Sequence, residues 1–166
     1  APDMPSARAG HVMVAVGAKL YVIGGIGSGD KNIFVFDTAT AKWSTAPYSM
    51  ASPRAGISGV VEGSTVYLIG GSVSQGPASA RVDTLDVNSG TWRRLADLPA
   101  PRSGLAAAML GGLLHVAGGA TFNPGRTYLD HFVYDRASNK WSSSSPLPTP
   151  RFASASANVN GEWYVI

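Results

Sequence analysis

Val66-Tyr67-Leu68-Ile69-Gly70-Gly71 is an apolar run closed by two glycines, and it has a counterpart on either side. These are Leu20-Tyr21-Val22-Ile23-Gly24-Gly25 and Leu114-His115-Val116-Ala117-Gly118-Gly119. The glycine pairs lie 46 and 48 residues apart. Working outward, Trp43, Trp92 and Trp141 follow at intervals of 49, and Asp37, Asp86 and Asp135 stand six positions ahead of them. Arg8, Arg54, Arg102 and Arg151 open the units, the last three directly after Pro53, Pro101 and Pro150. Landmarks that keep one phase at this spacing are the mark of a repeat architecture.

Within each unit the apolar residues come in short runs rich in Val, Ile, Leu, Tyr and Phe, broken by Gly, Pro, Ser and Asn. That pattern reads as strands, and no ten-residue stretch has the 3.6 period of a helix. Four strands per unit are expected: 11–16, 20–23, 33–37 and 42–45 in the first, 57–61, 66–69, 82–87 and 91–95 in the second, and 105–110, 113–117, 129–135 and 140–143 in the third. Asp at the end of the third strand can accept a hydrogen bond from the backbone two residues on and so start a tight turn. Gly90 and Asn139 supply the left-handed position that closes it. Ala41 stands at that place in the first unit and predicts a different turn there. The tryptophans are expected to be mostly buried, in equivalent places, as apolar plates over a neighbouring sheet.

Composition agrees. Of the 166 residues 45% are apolar and only 14% charged, with 20 Gly and 11 Pro, which describes a turn-rich globular chain. The chain has no Cys, which excludes a disulfide framework, a thiolate metal site and a cysteine nucleophile and leaves the redox compartment open. With the Ala- and Gly-rich composition, this inclines the reading toward a bacterial protein, exported or periplasmic. A net charge of +3 with no basic run longer than Arg93-Arg94 is too dilute for a nucleic-acid footprint. Glycines and His115 interrupt the longest apolar stretch, 105–120, so no membrane-spanning helix is expected. No signal-peptide pattern is visible at the N-terminus.

The Arg-led first strand, the aromatic before a Gly pair, and the Asp and Trp beyond it resemble the kelch repeat, over essentially the whole chain. The resemblance implies an all-β fold, a kelch-type β-propeller fragment with three four-stranded blades plus the start of a fourth. It implies one domain over 1–166, with repeats at about 5–50, 51–98, 99–147 and a truncated 148–166. An open ring leaves apolar blade faces to be covered by remaining blades or by self-association.

The resemblance also implies where function sits. In kelch propellers that bind acidic peptides the motif arginine points into the mouth of the central channel, and the segment 95–105 is similar to one of these. On that basis Arg8, Arg54, Arg102 and Arg151 form a positive, carboxylate-binding rim. The alternative is that these arginines tie adjacent blades through backbone carbonyls. Loops after the Gly pairs vary in length and share one face, so Asp30, Lys31, Asn32, Ser74, Gln75, Arg81, Phe122, Asn123, Arg126 and Tyr128 line it. Of these, Phe122, Asn123, Arg126 and Tyr128 form the loop best suited to a ligand.

Other chemistries fit less well. Gly24-Gly25-Ile26-Gly27-Ser28-Gly29 is followed by a strand pattern and not by a helix, which removes the dinucleotide reading. His11, His115 and His131 share no metal-ligand spacing. No cofactor is expected. The function implied is a binding scaffold for an acidic peptide or anionic small molecule, without nucleic acid or membrane as partner. The alternative is an enzyme on an anionic sugar, like the sialic acid mutarotase of kelch type. Glu62 and Glu162, the only glutamates, both fall in turns after a first strand, a poor place for a general base on the loop face.

Overall fold

The computed structural model describes residues 2–27, 30–73 and 76–166, and the expected loop residues Ser74 and Gln75 lie outside these. In chain order the strands are β1 (Arg8–Ala9), β2 (Val12–Val16), β3 (Lys19–Ile23), β4 (Ile26–Gly27), β5 (Asn32–Asp37) and β6 (Lys42–Ser49). Next come β7 (Ser58–Glu62), β8 (Thr65–Ile69), β9 (Val82–Asp86) and β10 (Thr91–Arg94). The rest are β11 (Ala106–Leu110), β12 (Leu113–Ala117), β13 (Ala120–Phe122), β14 (Gly125–Thr127), β15 (His131–Asp135), β16 (Lys140–Ser144), β17 (Ser156–Val159) and β18 (Glu162–Val165). No helix occurs among the described residues.

Three four-stranded antiparallel sheets result, β2-β3-β5-β6, β7-β8-β9-β10 and β11-β12-β15-β16, followed by the pair β17-β18. The innermost strands β2, β7, β11 and β17 pack against one another in succession, so each sheet is one blade of a propeller. A blade must bury both faces against its neighbours, and β8 in the middle of the array does so. Its Val66 and Leu68 join the core between the first and second blades with Ile23, Val35 and Leu85. Its Tyr67 and Ile69 join the core between the second and third with Leu105, Leu114 and Val116.

The turn between third and fourth strands is the same in all three blades, which corrects the expectation for Ala41. The Asp37 carboxylate accepts the N–H groups of Ala39 and Thr40, Asp86 those of Asn88 and Ser89, and Asp135 that of Ala137. Ala41 then takes the left-handed backbone at φ 53°, beside 71° for Gly90 and 52° for Asn139. Alanine pays a steric penalty there, and the hydrogen bonds to Asp37 hold it.

The tryptophans occupy one register position, opposite Phe36, Leu85 and Tyr134. Each keeps the greater part of its surface buried on the outermost strand of its blade, and Trp92 and Trp141 pack on the cores shared with the preceding blade. Trp141 Nε1 donates to Ala96 O of the preceding unit at 3.0 Å, and Trp43 Nε1 to Pro2 O at 3.0 Å.

Between the third and fourth blades His115 and His131 are joined, with Nδ1 of His115 2.9 Å from Nε2 of His131. Nδ1 of His131 lies 3.0 Å from the Ser145 carbonyl and donates to it; with both rings in the neutral form, Nε2 of His131 accepts and Nδ1 of His115 supplies the proton. Trp163 of β18 packs against both rings with centroids 6.3 and 5.7 Å away. Of the adjoining strands, β11 carries no ionisable group, β15 and β16 have Asp135 and Lys140 at their far ends, and β18 has Glu162 bonded to Tyr164.

Burial, and then His131, hold the His115 pKa below its ordinary value. The folded state thus resists a proton that the unfolded chain accepts from about pH 6.5 downward. The stability from this pair is complete above that pH and is lost as the pH falls through it. The melting temperature is expected to drop between pH 7.5 and 5.5, and His115→Tyr, which installs the residue of the other two repeats, should flatten that drop. An unchanged pH slope in the variant would remove the histidine pair as its cause.

Candidate functional site

The Arg and Gly landmarks meet at the junctions between blades. Arg54 Nε donates to Gly70 O of its own blade at 2.8 Å, while the Arg54 carbonyl accepts the N–H of Gly25 from the blade before at 2.8 Å. Arg102 repeats this, with Nη1 to Gly118 O at 3.0 Å and its carbonyl accepting from Gly71 at 2.9 Å. Arg8 Nη1 donates to Gly24 O and Asn32 O. The carbonyl of Arg151 accepts from Gly119 at 2.7 Å.

Burial separates the four. Arg54 and Arg102 are 1% and 0% exposed and Arg8 is also buried, whereas Arg151 is exposed. Of the four, only Arg151 therefore presents its guanidinium to the surface; the buried three bond carbonyls of their own blades, and the hydrogen bonds between blades run through the backbone carbonyls of Arg54, Arg102 and Arg151. What faces each buried guanidinium is set by one register position on the third strand, opposite Val22, Leu68 or Val116. Phe34 lies under Arg8 at 4.3 Å and Phe132 under Arg102 at 5.0 Å. In the second blade Asp83 replaces the ring and pairs with Arg54 Nη1 at 3.0 Å and Arg81 Nε at 2.6 Å. Burial pushes the pKa of Arg54 down and the Asp83 charge opposes it.

Just beyond each arginine the backbone turns left-handed, at Gly10, Gly56, Gly104 and Ala153. These residues link the blades by one hydrogen bond each, Gly56 N–H to Gly10 O, Gly104 N–H to Gly56 O, and Ala153 N–H to Gly104 O, at 2.7 to 2.8 Å. The result is a chain of peptide groups running from blade to blade.

The segment 120–128, expected as a loop, is a short hairpin of β13 and β14, with Thr121 Oγ1 donating to Pro124 O across its turn. It lifts Phe122 and Asn123 into solvent. Phe122, 65% exposed, meets Phe152, 52% exposed, edge to face at 6.1 Å. Tyr128 behind them lies under two guanidinium groups, Arg126 at 4.8 Å and Arg102 at 4.4 Å. The structure thus gathers Phe122, Asn123, Arg126, Tyr128 and Arg151 on one face, with Arg102 beneath. Arg126 and Arg151 form no ion pair among the described residues.

Sequence reasoning passed over Phe152 and Asp83. The first had a signal, since the residue after the motif arginine is small in the other units, Ala9, Ala55 and Ser103. Both glutamates lie toward the opposite face, Glu62 in contact with Tyr67 and Arg136 beside the β7–β8 turn, and Glu162 after the Gly161 turn.

Comparison with known proteins extends these internal likenesses. The model of the KLHDC2/KLHL20/DRC7 Kelch-repeats domain matches residues 3–166. The chain is 34% identical over 157 residues to the Kelch repeat-containing protein At3g27220 of Arabidopsis thaliana, covering 87% of this chain and 36% of that one. It is 28% identical to the Kelch-like protein terF of Aspergillus terreus over 94% of this chain and 37% of that one. It is 32% identical to the Kelch-like ECH-associated protein 1B of Danio rerio over 61% of this chain and 17% of that one. The chain therefore spans little more than a third of its curated relatives at most. The solved structure of YjhT superposes with a TM-score of 0.86 at 22% identity, over 98% of this chain and 62% of that one. Repeat landmarks, blade pairing and family model agree over the same residues, and the chain belongs to the kelch-repeat family of β-propellers.

Proposed function

We propose that this domain is a protein-binding scaffold whose loop face takes an acidic peptide segment carrying at least one apolar side chain. The observation that carries this reading is the exposed Phe122–Phe152 pair, beside Arg126 and Arg151, which are exposed and form no ion pair among the described residues. Exposed aromatic rings beside arginine are the composition of interface hot spots, and a free guanidinium forms forked, charge-assisted bonds with a carboxylate. Buried Arg8, Arg54 and Arg102 serve the face by holding the Gly-pair carbonyls of their blades, and Arg102 supports Tyr128 from beneath. The relative from Danio rerio, by its name associated with another protein, agrees with a partner of this class.

A fluorescein-labelled peptide of alternating Asp and Glu with a central Leu tests the reading by anisotropy. Arg126→Ala is expected to weaken its binding by about tenfold or more, and Phe122→Ser by a similar factor, with melting temperatures unchanged because both side chains are solvent-exposed. Equal binding by the wild type and both variants would refute the assignment of this face.

A further inference from the structure

The second blade departs from its neighbours on the face turned toward the third. Its strands place Thr65 and Tyr67, Thr84 and Asp86, and Thr91 and Arg93 side by side, since Thr65 pairs with Asp86 and Tyr67 with Thr84 across β8–β9, and Thr91 with Asp86 and Arg93 with Thr84 across β9–β10. At the register position of Thr84 the other blades carry Val35 and Val133, opposite Tyr21 and His115. At that of Arg93 they carry Ser44 and Ser142. Two apolar or small positions have thus become a hydroxyl and a cation.

These residues line a cleft of about 410 Å³, closed on the other side by Arg136. That volume is in the range of small-ligand sites. Thr65 begins β8, which ends at Ile69 just before the Gly pair, so the cleft lies toward the end away from the Gly pairs and apart from the loop site.

Two features of the wall are unspent. Thr84 is 7% exposed, yet its hydroxyl meets no hydrogen-bond partner among the described residues. That hydroxyl opens into the cleft with its hydrogen-bonding capacity free for a ligand. Arg93 has no ion pair among the described residues, although Asp86 shares the cleft. Asp86 is already occupied, accepting from Ser64 Oγ, Ser89 Oγ and the N–H groups of Asn88 and Ser89. Arg136 is neutralised by Glu62.

We propose that this cleft binds a small hydroxylated monocarboxylate, with Arg93 taking the carboxylate and Thr84, Thr65 and Thr91 the hydroxyl groups. One unpaired cation fits one negative charge, and the fixed Asp86 carboxylate disfavours a dianion such as phosphate.

The test is titration of the isotopically labelled protein with D-glucuronate, followed by amide NMR, with D-glucose and inorganic phosphate as controls. Saturable shifts at Thr65, Thr84 and Arg93 with D-glucuronate, and not with the controls, are the expected result. Arg93→Gln should weaken binding by about tenfold, and Arg126→Ala on the loop face should leave it unchanged. Thr84→Val, which installs the residue of the other blades, should weaken binding while holding or raising the melting temperature. Equal shifts with D-glucose or phosphate would overturn the charge recognition. The absence of saturable shifts at these residues, or binding unaffected by Arg93→Gln, would overturn the site.

Discussion

Gly70→Ala is expected to lower the stability of the protein by about 3 to 5 kcal/mol, against about 1 to 2 kcal/mol for Gly63→Ala. Both glycines have left-handed backbone, φ 64° and 60°, so both replacements pay the same conformational penalty. They differ in what a methyl group would meet. A Cβ on Gly63 has open space, whereas on Gly70 it would stand 2.5 Å from the Arg102 carbonyl oxygen and 2.6 Å from the Leu105 side chain. The carbonyl cannot withdraw cheaply, because it accepts the hydrogen bond from Gly71 that joins the second blade to the third. Gly24 repeats the geometry against Arg54 O at 2.5 Å, so Gly24→Ala should match Gly70→Ala and not Gly63→Ala. Urea unfolding of the three variants decides the matter. A cost for Gly70→Ala no greater than that for Gly63→Ala would mean that the junction yields, and that the Gly pair is not what sets blade spacing.

This contrast also explains what could be read from the sequence. The junction was legible because it needs an invariant geometry at every blade. A carbonyl approaching within reach of a glycine, an arginine spanning to the Gly pair and an Asp-capped turn all leave a residue at a fixed phase. The strands of the blades followed from the same phase and fall within one or two residues of the expected bounds, except β6, which runs to Ser49 where 45 was expected. Where a slot tolerates several solutions the sequence was ambiguous. Ala41 holds a left-handed turn usually given to Gly or Asn because Asp37 supplies its hydrogen bonds. The direction of the arginines was ambiguous for another reason. The same side chain can reach outward to a ligand or inward to a carbonyl, and only the depth of the Gly pair below the surface decides. The hairpin at 120–128 left almost no signal, since its strands are only three residues each, too short to show an alternation.

Removing the carboxylate beneath Arg54 should be nearly as damaging as crowding the junction. Asp83→Ala is expected to cost about 3 to 5 kcal/mol, the usual result of leaving a buried charge without its partner. Arg54 is 1% exposed, its Nη2 already lacks a hydrogen-bond acceptor, and Asp83, which accepts from Nη1, is itself only 4% exposed, so water cannot replace the lost carboxylate without opening the blade interface. The neighbouring blades suggest the rescue. Arg8 and Arg102 occupy the same slot over Phe34 and Phe132, so Asp83→Phe should recover part of the loss by offering Arg54 an aromatic face. It should not recover all of it, because Arg81, which also pairs with Asp83, has no such ring to turn to. The effect should be nearly independent of salt, as buried pairs are screened little. If Asp83→Ala costs under about 1 kcal/mol, or if its cost vanishes in high salt, then Arg54 reaches solvent. The second blade would then carry the outward-facing cation that its burial otherwise denies it.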